Sequence, residues 1–433
     1  MRQGLGIKVR NSKELPVDWF KRQKADEKAT ADLEIAVKNI VNKVKTEGDA
    51  ALVEFALKFD RAKLTSRSLK VRPQEIKEAY TKTSLQQISA LKFMKERVSV
   101  FQKQLLTQTD IKTANDGISV QTSLRPIESV GCYVPGGQAA YPSTVIMTAV
   151  PAKIAGVARI VVCSPSDTKG KVNPLVLVAA DICGVDEFYK VGGAQAIAAL
   201  AYGTRAILPV RKIVGPGNKY VTEAKVFVST EVAIDMPAGP SEVLVLADET
   251  ADPRLIAYDM VSQAEHGGDS VAGLITTSEK IATDVVENLE KIVASAQRRE
   301  KILESLAKFG FIIVCSGIEE MVMLANKFAP EHLEVLTIKP DELAKKLTAG
   351  LILLGPYSPV ALSDYGSGTN HVLPTGGFAQ SFSGLTVLDF MRRASIVEST
   401  RTGLERAKDS IKTLTEAENL PNHYRALAAR FEK

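Results

Sequence analysis

The sequence predicts an α/β protein built from two alternating strand–helix units, with smaller segments at either end. Three observations point there. Short apolar runs alternate with helical ones from about residue 143 to 235, as in TVIMTAVPAKIAG, RIVVCSP, NPLVLVAADICGV, EFYKVGG and AQAIAALAYGT. The alternation resumes at SEVLVLAD from 241 and continues to GLILLGP at 350–356. Glycine-rich turns follow several of the strand-like runs, as expected where βαβ units leave a parallel sheet.

The size and composition suit that reading. The chain has 433 residues, 45% hydrophobic and 24% charged, enough for two or three packed units with sizeable cores. Lysine and arginine number 55 against 50 acids, a net charge of only +5, and no long basic block stands out. This argues against a nucleic-acid binder, which gains most of its affinity by neutralising phosphates, and leaves room for small anionic ligands. The first residues, MRQGLGIKVRNSKELP, lack the apolar core of a signal peptide. No stretch approaches the roughly 18 apolar residues of a membrane span. Cys132, Cys163, Cys183 and Cys315 are scattered, the last three in apolar runs, with no CxxC spacing. They read as buried thiols of a reducing compartment, hence the cytoplasm.

Taken in order, residues 28–110 read as helical. LEIAVKNIVNKVKTEGDAALVEFALKFD repeats apolar residues every three or four positions, and Gly48-Asp49 breaks and recaps the helix. GISVQTSLRPIESVGCYVPGG is a β-rich entry to the first alternating unit. The second unit contains the helix PRLIAYDMVSQAEH, the strand VAGLITT, and the helix EEMVMLANKF ahead of FAPEHLEV. The last fifty residues are charged and mostly helical.

Only four histidines occur: His266, His332, His371 and His423, all in the last two-fifths of the chain. In SQAEHGG, Gln263 and His266 are three apart at a predicted helix end, hence on one face. They are either a polar cap or two metal ligands. In SDYGSGTNHVLPT, Asp364 and His371 occupy a glycine-rich loop, either a plain surface loop or part of a site. Gln263, His266, Asp364 and His423 would make a nitrogen–oxygen ligand set without thiolate, which suits a substrate-binding metal better than a structural zinc. No HExxH motif supports a zinc protease. Glu331 and His332 set an acid beside a base, against the plainer reading of a solvated turn.

Three glycine motifs mark the first unit: YVPGG at 133–137, VGGAQA at 191–196 and VGPGN at 214–218. Each can bring backbone N–H groups to a phosphate or carboxylate. None is a GxGxxG with an acid about twenty residues on, so the common dinucleotide fingerprint is absent. At successive strand ends, however, they point to one ligand crevice.

Together, YVPGG, VGGAQAIAALAYGT, GPGNKYVTEAK, AGPSEVLVLAD, SQAEHG, APEHLE, DYGSGTNHVLPT and the tail pair Glu418 and His423 resemble the histidinol dehydrogenase family, in order from about 130 to 423. The resemblance implies zinc ligands at Gln263, His266, Asp364 and His423, and an acid–base pair at Glu331 and His332. It implies substrate contacts at Ser241, His371 and Glu418 besides those six residues, and NAD contacts at Tyr133, Gln195 and Asn218. The implied fold is two incomplete Rossmann-like domains, one inserted in the other, in an intertwined homodimer whose C-terminal tail completes the partner's site. Its boundaries would be an arm at 1–24, a first domain of 25–130 with 237–382 bearing the metal and catalytic residues, an inserted NAD-side domain at 131–236, and a helical tail at 383–433. The implied reaction is oxidation of L-histidinol to L-histidine through the aldehyde, with NAD and one zinc per subunit. Three rivals are a paralogue acting on another alcohol, such as a sulfonated diol, a zinc hydrolase, and a non-catalytic metal- or nucleotide-binding protein. Glu418 and His423 speak against the first, the three glycine motifs against the second, and the intact acid–base set against the third.

Overall fold

The computed structural model describes residues 5–16, 19–20, 27–107, 111–136 and 140–432. Much of the arm expected at 1–24, and Gly137 of the first glycine motif, lie outside them.

Among the described residues the chain forms two parallel sheets and a smaller antiparallel one. The first parallel sheet orders Glu187–Tyr189, Arg159–Cys163, Ser129–Tyr133, Lys212–Val214 and Ala233–Ile234 side by side. Chain order reverses at Ser129–Tyr133, the position where open α/β sheets open a crevice beyond their carboxyl ends. The second orders Lys8–Asn11, Phe311–Val314, Val271–Thr276, Glu242–Ala247, His332–Leu336 and Leu351–Leu354. Its inner strands, such as EVLVLA and HLEVL, are buried along their whole length. Near-continuous apolar runs are what a sheet covered on both faces requires.

The two alternating stretches therefore correspond to the two parallel sheets. Gly48, at a φ of 58°, separates the helices Glu27–Glu47 and Asp49–Phe55 where the sequence reading put the break.

Three features go beyond what local pattern shows. The N-terminal helices, expected in one domain with residues 237–382, pack on the five-stranded sheet. Val37, Val41 and Val44 of Glu27–Glu47 share a core with Val161, Ile197 and Ile213, while Leu91, Met94 and Val98 of Leu85–Leu106 pack on the opposite side with Val130 and Ile146. Helical periodicity reveals an apolar stripe but not the sheet that receives it. Secondly, Lys8–Asn11 joins the six-stranded sheet as its edge strand, although KVRN is too polar to announce one. Thirdly, the tail, expected to be mostly helical, also contributes a strand. Met391–Ser399 pairs antiparallel with Ile118–Pro126 over nine residues before the helices Arg401–Ala417 and Pro421–Ala428.

The two units meet with opposite ends of their sheets. Thr144, near the start of the helix Pro142–Ala155 at the carboxyl edge of the five-stranded sheet, puts Oγ1 3.4 Å from His371 Nε2. Asn370 donates to the Met147 carbonyl at 2.7 Å. The neighbouring edge of the six-stranded sheet is its amino edge, where Ser241, Glu331 and Gly350 precede their strands.

Candidate active site

Local sequence explains how Glu331 and His332 reach that edge. The helix Ile318–Phe328 ends at Ala329, which takes the left-handed conformation at φ 46° although glycine is usual there. A non-glycine residue in that region costs about 1–2 kcal/mol, the kind of strain found beside functional sites. Pro330 cannot continue the helix, and the chain turns directly into His332–Leu336. Leu351 N–H then donates to the Glu331 carbonyl at 2.9 Å. The same carbonyl lies 2.7 Å from where a Cβ on Gly350 would sit, so position 350 has no room for a side chain.

Glu331 and His332 are only 6% and 4% exposed, which removes the solvated-turn reading. Glu331 Oε2 accepts from Glu242 N–H at 2.7 Å and stands 3.6 Å from His332 Nδ1. His332 Nδ1 also meets the Glu242 carbonyl at 3.1 Å, a geometry that puts a proton on Nδ1 and leaves Nε2 as the acceptor. Nε2 is buried with no hydrogen-bond partner and faces Asp364 Oδ1 at 3.8 Å. Burial disfavours the imidazolium, but the charge and hydrogen bond of Glu331, then Asp364 and the Glu242 carbonyl, outweigh it and raise His332 to about 9, so that a positive charge bound beside Asp364 would be what frees Nε2 to accept a proton near neutral pH. His371 Nδ1 lies 3.8 Å from the same Asp364 oxygen. Burial lowers the pKa of His371, with His332 and His266 acting in the same direction against Asp364 and Glu331.

Asp364 comes from the short helix Val360–Tyr365, and Gln263 from the end of Pro253–Ala264. That helix stops two residues before His266, so His266 sits in the following turn, exposed, rather than on the helix face. Asp364 Oδ1 and Gln263 Nε2 are both buried without a hydrogen-bond partner. Orphaned polar atoms of this kind need a missing partner, and a carboxylate oxygen and an amide, which can equally present its oxygen, are each of a type that suits a cation taking nitrogen and oxygen ligands. Among the described residues no three His, Cys, Asp or Glu side chains converge as a metal site. His423 and Glu418 lie exposed on the tail, outside this cluster.

Two carboxylates at the site escaped the sequence reading. Glu242, 2% exposed, accepts from Glu331 N–H at 3.3 Å and Gly376 N–H at 3.2 Å, fastening the acid–base pair from behind. Glu334, 1% exposed and on the same strand face as His332, accepts from Val360 N–H at 2.9 Å and so anchors the helix carrying Asp364. Burial and the Asp259 carboxyl raise its pKa well above the usual range. The available signal was a charged residue inside an apolar strand, twice.

On the other side of the cleft the glycine motifs follow three strands of the five-stranded sheet: Ser129–Tyr133, its neighbour Lys212–Val214, and the edge strand Glu187–Tyr189 beyond Arg159–Cys163. Tyr133 and Gln195 are buried, at 3% and 2% exposure. The Tyr133 hydroxyl accepts from Gly193 N–H at 3.0 Å, tying the first motif to the second. Asn218 is exposed and caps the helix Lys219–Val228, accepting from the N–H groups of Tyr220 and Val221 at 3.0 and 3.2 Å. The helices Gly193–Tyr202 and Lys219–Val228 thus present their N-termini to the crevice, which favours an anion.

Comparison with known proteins identifies this arrangement. A family model described as histidinol dehydrogenase matches residues 21–431. The chain belongs to the histidinol dehydrogenase family. It is 45% identical over 406 residues to the histidinol dehydrogenase of Clostridium acetobutylicum, covering 94% of each chain. Identity to that of Methanocaldococcus jannaschii is 46% over 398 residues, 92% of each. The crystal structure of histidinol dehydrogenase from Elizabethkingia anophelis matches with a TM-score of 0.91 at 36% identity, covering 98% of both chains. Membership of this family makes the protein an oxidoreductase enzyme.

Proposed function

We propose that the protein oxidises L-histidinol to L-histidine through the aldehyde, with NAD as hydride acceptor, at the cleft between the two sheets. The observation that carries this reading is the buried Glu331–His332 pair, whose Nε2 has no hydrogen-bond partner and faces the Asp364 oxygen that His371 also approaches.

His332 Nε2 takes the hydroxyl proton of the alcohol as its hydride departs, and Nδ1 stays held by the Glu242 carbonyl. Glu331 then draws a proton from the water that adds to the aldehyde. The hydrate loses a second hydride, and His332 again takes the proton. Both groups act at one carbon, which explains their adjacency in sequence. A closed site also keeps the aldehyde from free amines. Zinc, when bound, supplies a Lewis acid that orients the amino and imidazole nitrogens of the substrate. Gln263, His266 and Asp364 would hold it from this chain. Ser241 and His371 would contact the substrate, His371 from beside Asp364.

The exposed Glu418 and His423 support a homodimer of intertwined subunits in which each tail completes the other's site, His423 as the fourth zinc ligand. The reversed strand order and the helix N-termini around Tyr133, Gln195 and Asn218 support a Rossmann-like cofactor side. The cysteines are unpaired and buried, and burial pushes the thiols of Cys132, Cys183 and Cys315 up to about 12, which suits the cytoplasm. Among the described residues no helix is long and apolar enough to cross a membrane.

Stoichiometry tests the whole reading: two NADH per L-histidinol consumed, with histidine as product. One NADH per substrate, or turnover without NAD, would sink it.

A further inference from the structure

Behind the third glycine motif lies a buried ion pair that neither the acid–base chemistry nor the metal reading uses. Lys225 is 2% exposed, inside the helix Lys219–Val228, and it pairs with Asp235, itself 9% exposed. Lys225 Nζ also donates to the carbonyls of Gly215 at 3.0 Å and Met236 at 3.2 Å. Asp235 Oδ2 accepts from Gly215 N–H at 2.7 Å. Gly215 is thus gripped through its own N–H and its own C=O by two opposite charges.

The grip falls on a residue with little freedom to sit elsewhere. Gly215 has a φ of 116°, open in practice to glycine, and a Cβ there would lie 2.2 Å from the Tyr133 carbonyl oxygen. Tyr133 in turn holds Gly193 N–H through its hydroxyl. The charge pair therefore fixes one loop directly and borders the other two through Tyr133. It also ties down Asp235 and Met236, the first residues of the connection that ends at Ser241 and Glu242 on the opposite side of the cleft.

We propose that Lys225 and Asp235 are positioning residues for the cofactor: their pair clamps the Gly215 peptide so that the loop ending at Asn218 is preformed for a dinucleotide phosphate. This rests on the NAD reading above. A buried pair is a poor device for stability alone, since well-packed neutral replacements are often as stable, whereas removing one partner strands a charge. That asymmetry separates positioning from folding.

The experiment uses the full-length protein and NADH fluorescence, with thermal unfolding and L-histidinol binding measured in parallel. Lys225→Met alone leaves Asp235 buried and unpaired, and is expected to unfold early. Lys225→Met with Asp235→Asn removes both charges and keeps an acceptor for Gly215 N–H. This double variant should melt close to wild type and bind L-histidinol normally, yet lose about tenfold in NADH affinity, the worth of one charge-assisted hydrogen bond. NADH binding at the wild-type level, an equal loss of histidinol binding, or failure of the double variant to fold would each overturn the clamp. Wild-type protein that binds no NADH fails the cofactor reading instead. The clamp is then judged by amide exchange at Gly215, expected to be about tenfold faster in the double variant and unchanged if the clamp is absent.

Discussion

Replacing Glu242 tests whether the acid–base pair is held from behind. Its carboxylate accepts two backbone N–H groups, from Glu331 at 3.3 Å and Gly376 at 3.2 Å, in a place closed to water. Hydrogen bonds to a charged group contribute roughly 1.5–3 kcal/mol each, and these are long, so about 3 kcal/mol for the two is the appropriate sum. Glu242→Ala removes both acceptors and should destabilise the protein by about that amount. Glu242→Gln keeps one oxygen and should recover about half of it. The loosened Glu331 backbone should also slow single-turnover oxidation of L-histidinol by about 10–100-fold, because sub-ångström placement of the acid–base pair is lost. Urea unfolding followed by circular dichroism gives the first quantity, and stopped-flow NADH formation the second. An alanine variant as stable as wild type, or a glutamine variant as damaged as alanine, would refute the reasoning.

Four further outcomes follow from the site and its surroundings. His332→Asn should slow both oxidations by about 10²–10⁴-fold, whereas Glu331→Gln should spare alcohol oxidation and cripple aldehyde oxidation. Equal losses for Glu331→Gln in single-turnover assays of the two substrates would remove the division of labour. Chelation should abolish activity and zinc restore it, with His266→Asn retaining less zinc by elemental analysis. Full turnover by exhaustively stripped protein would refute the metal assignment. Mixing inactive His423→Ala and His332→Ala chains should restore activity, and mixed dimers confirmed by mass that stay inactive would contradict a shared site. Finally, burial pushes the Asp60 carboxyl up to about 6, so the native state holds that proton while the unfolded chain releases it from about pH 4 upward. Stability is therefore lost as pH rises through that window, and the penalty is complete above about pH 6. Partial solvent screening reduces its full value to about 1–2 kcal/mol, and Asp60→Asn should gain that at pH 7.5 and less at pH 5 in urea titrations. An equal gain at both would assign it to packing.

Much of this architecture was legible because local chemistry and global position agree. SEVLVLAD and FIIVCSG carry near-continuous apolar runs, VLVLA and FIIVC, and each became a strand buried along its length. Gly215 and Gly350 stand where a side chain would strike backbone. What the sequence concealed depends on distant partners. KVRN becomes a strand only because Phe311–Val314 offers an open edge, and MRRASIVES only because Ile118–Pro126 pairs with it. The Glu331–His332 pair was visible as chemistry, but its burial and its anchorage to Glu242 depend on a neighbour 89 residues away. The amino-edge placement was equally unreadable, since the crevice rule points to carboxyl ends and describes only the cofactor side. Glu418 and His423 entered through resemblance, and a single chain leaves them exposed.

The first strand has a consequence for the order in which the protein is made. Lys8–Asn11 leaves the ribosome early, but its sheet partner among the described residues, Phe311–Val314, follows about 300 residues later, a wait of roughly 15–60 s at ordinary rates of synthesis. Met391–Ser399 closes its sheet with Ile118–Pro126 later still. The five-stranded sheet, by contrast, is drawn from one continuous stretch and can be complete while the rest is unmade. The nascent chain can therefore pair the strands that carry the glycine motifs long before Glu242 and His332 exist, but the core over one face of that sheet waits for Val372, Leu385, Val387 and Phe390.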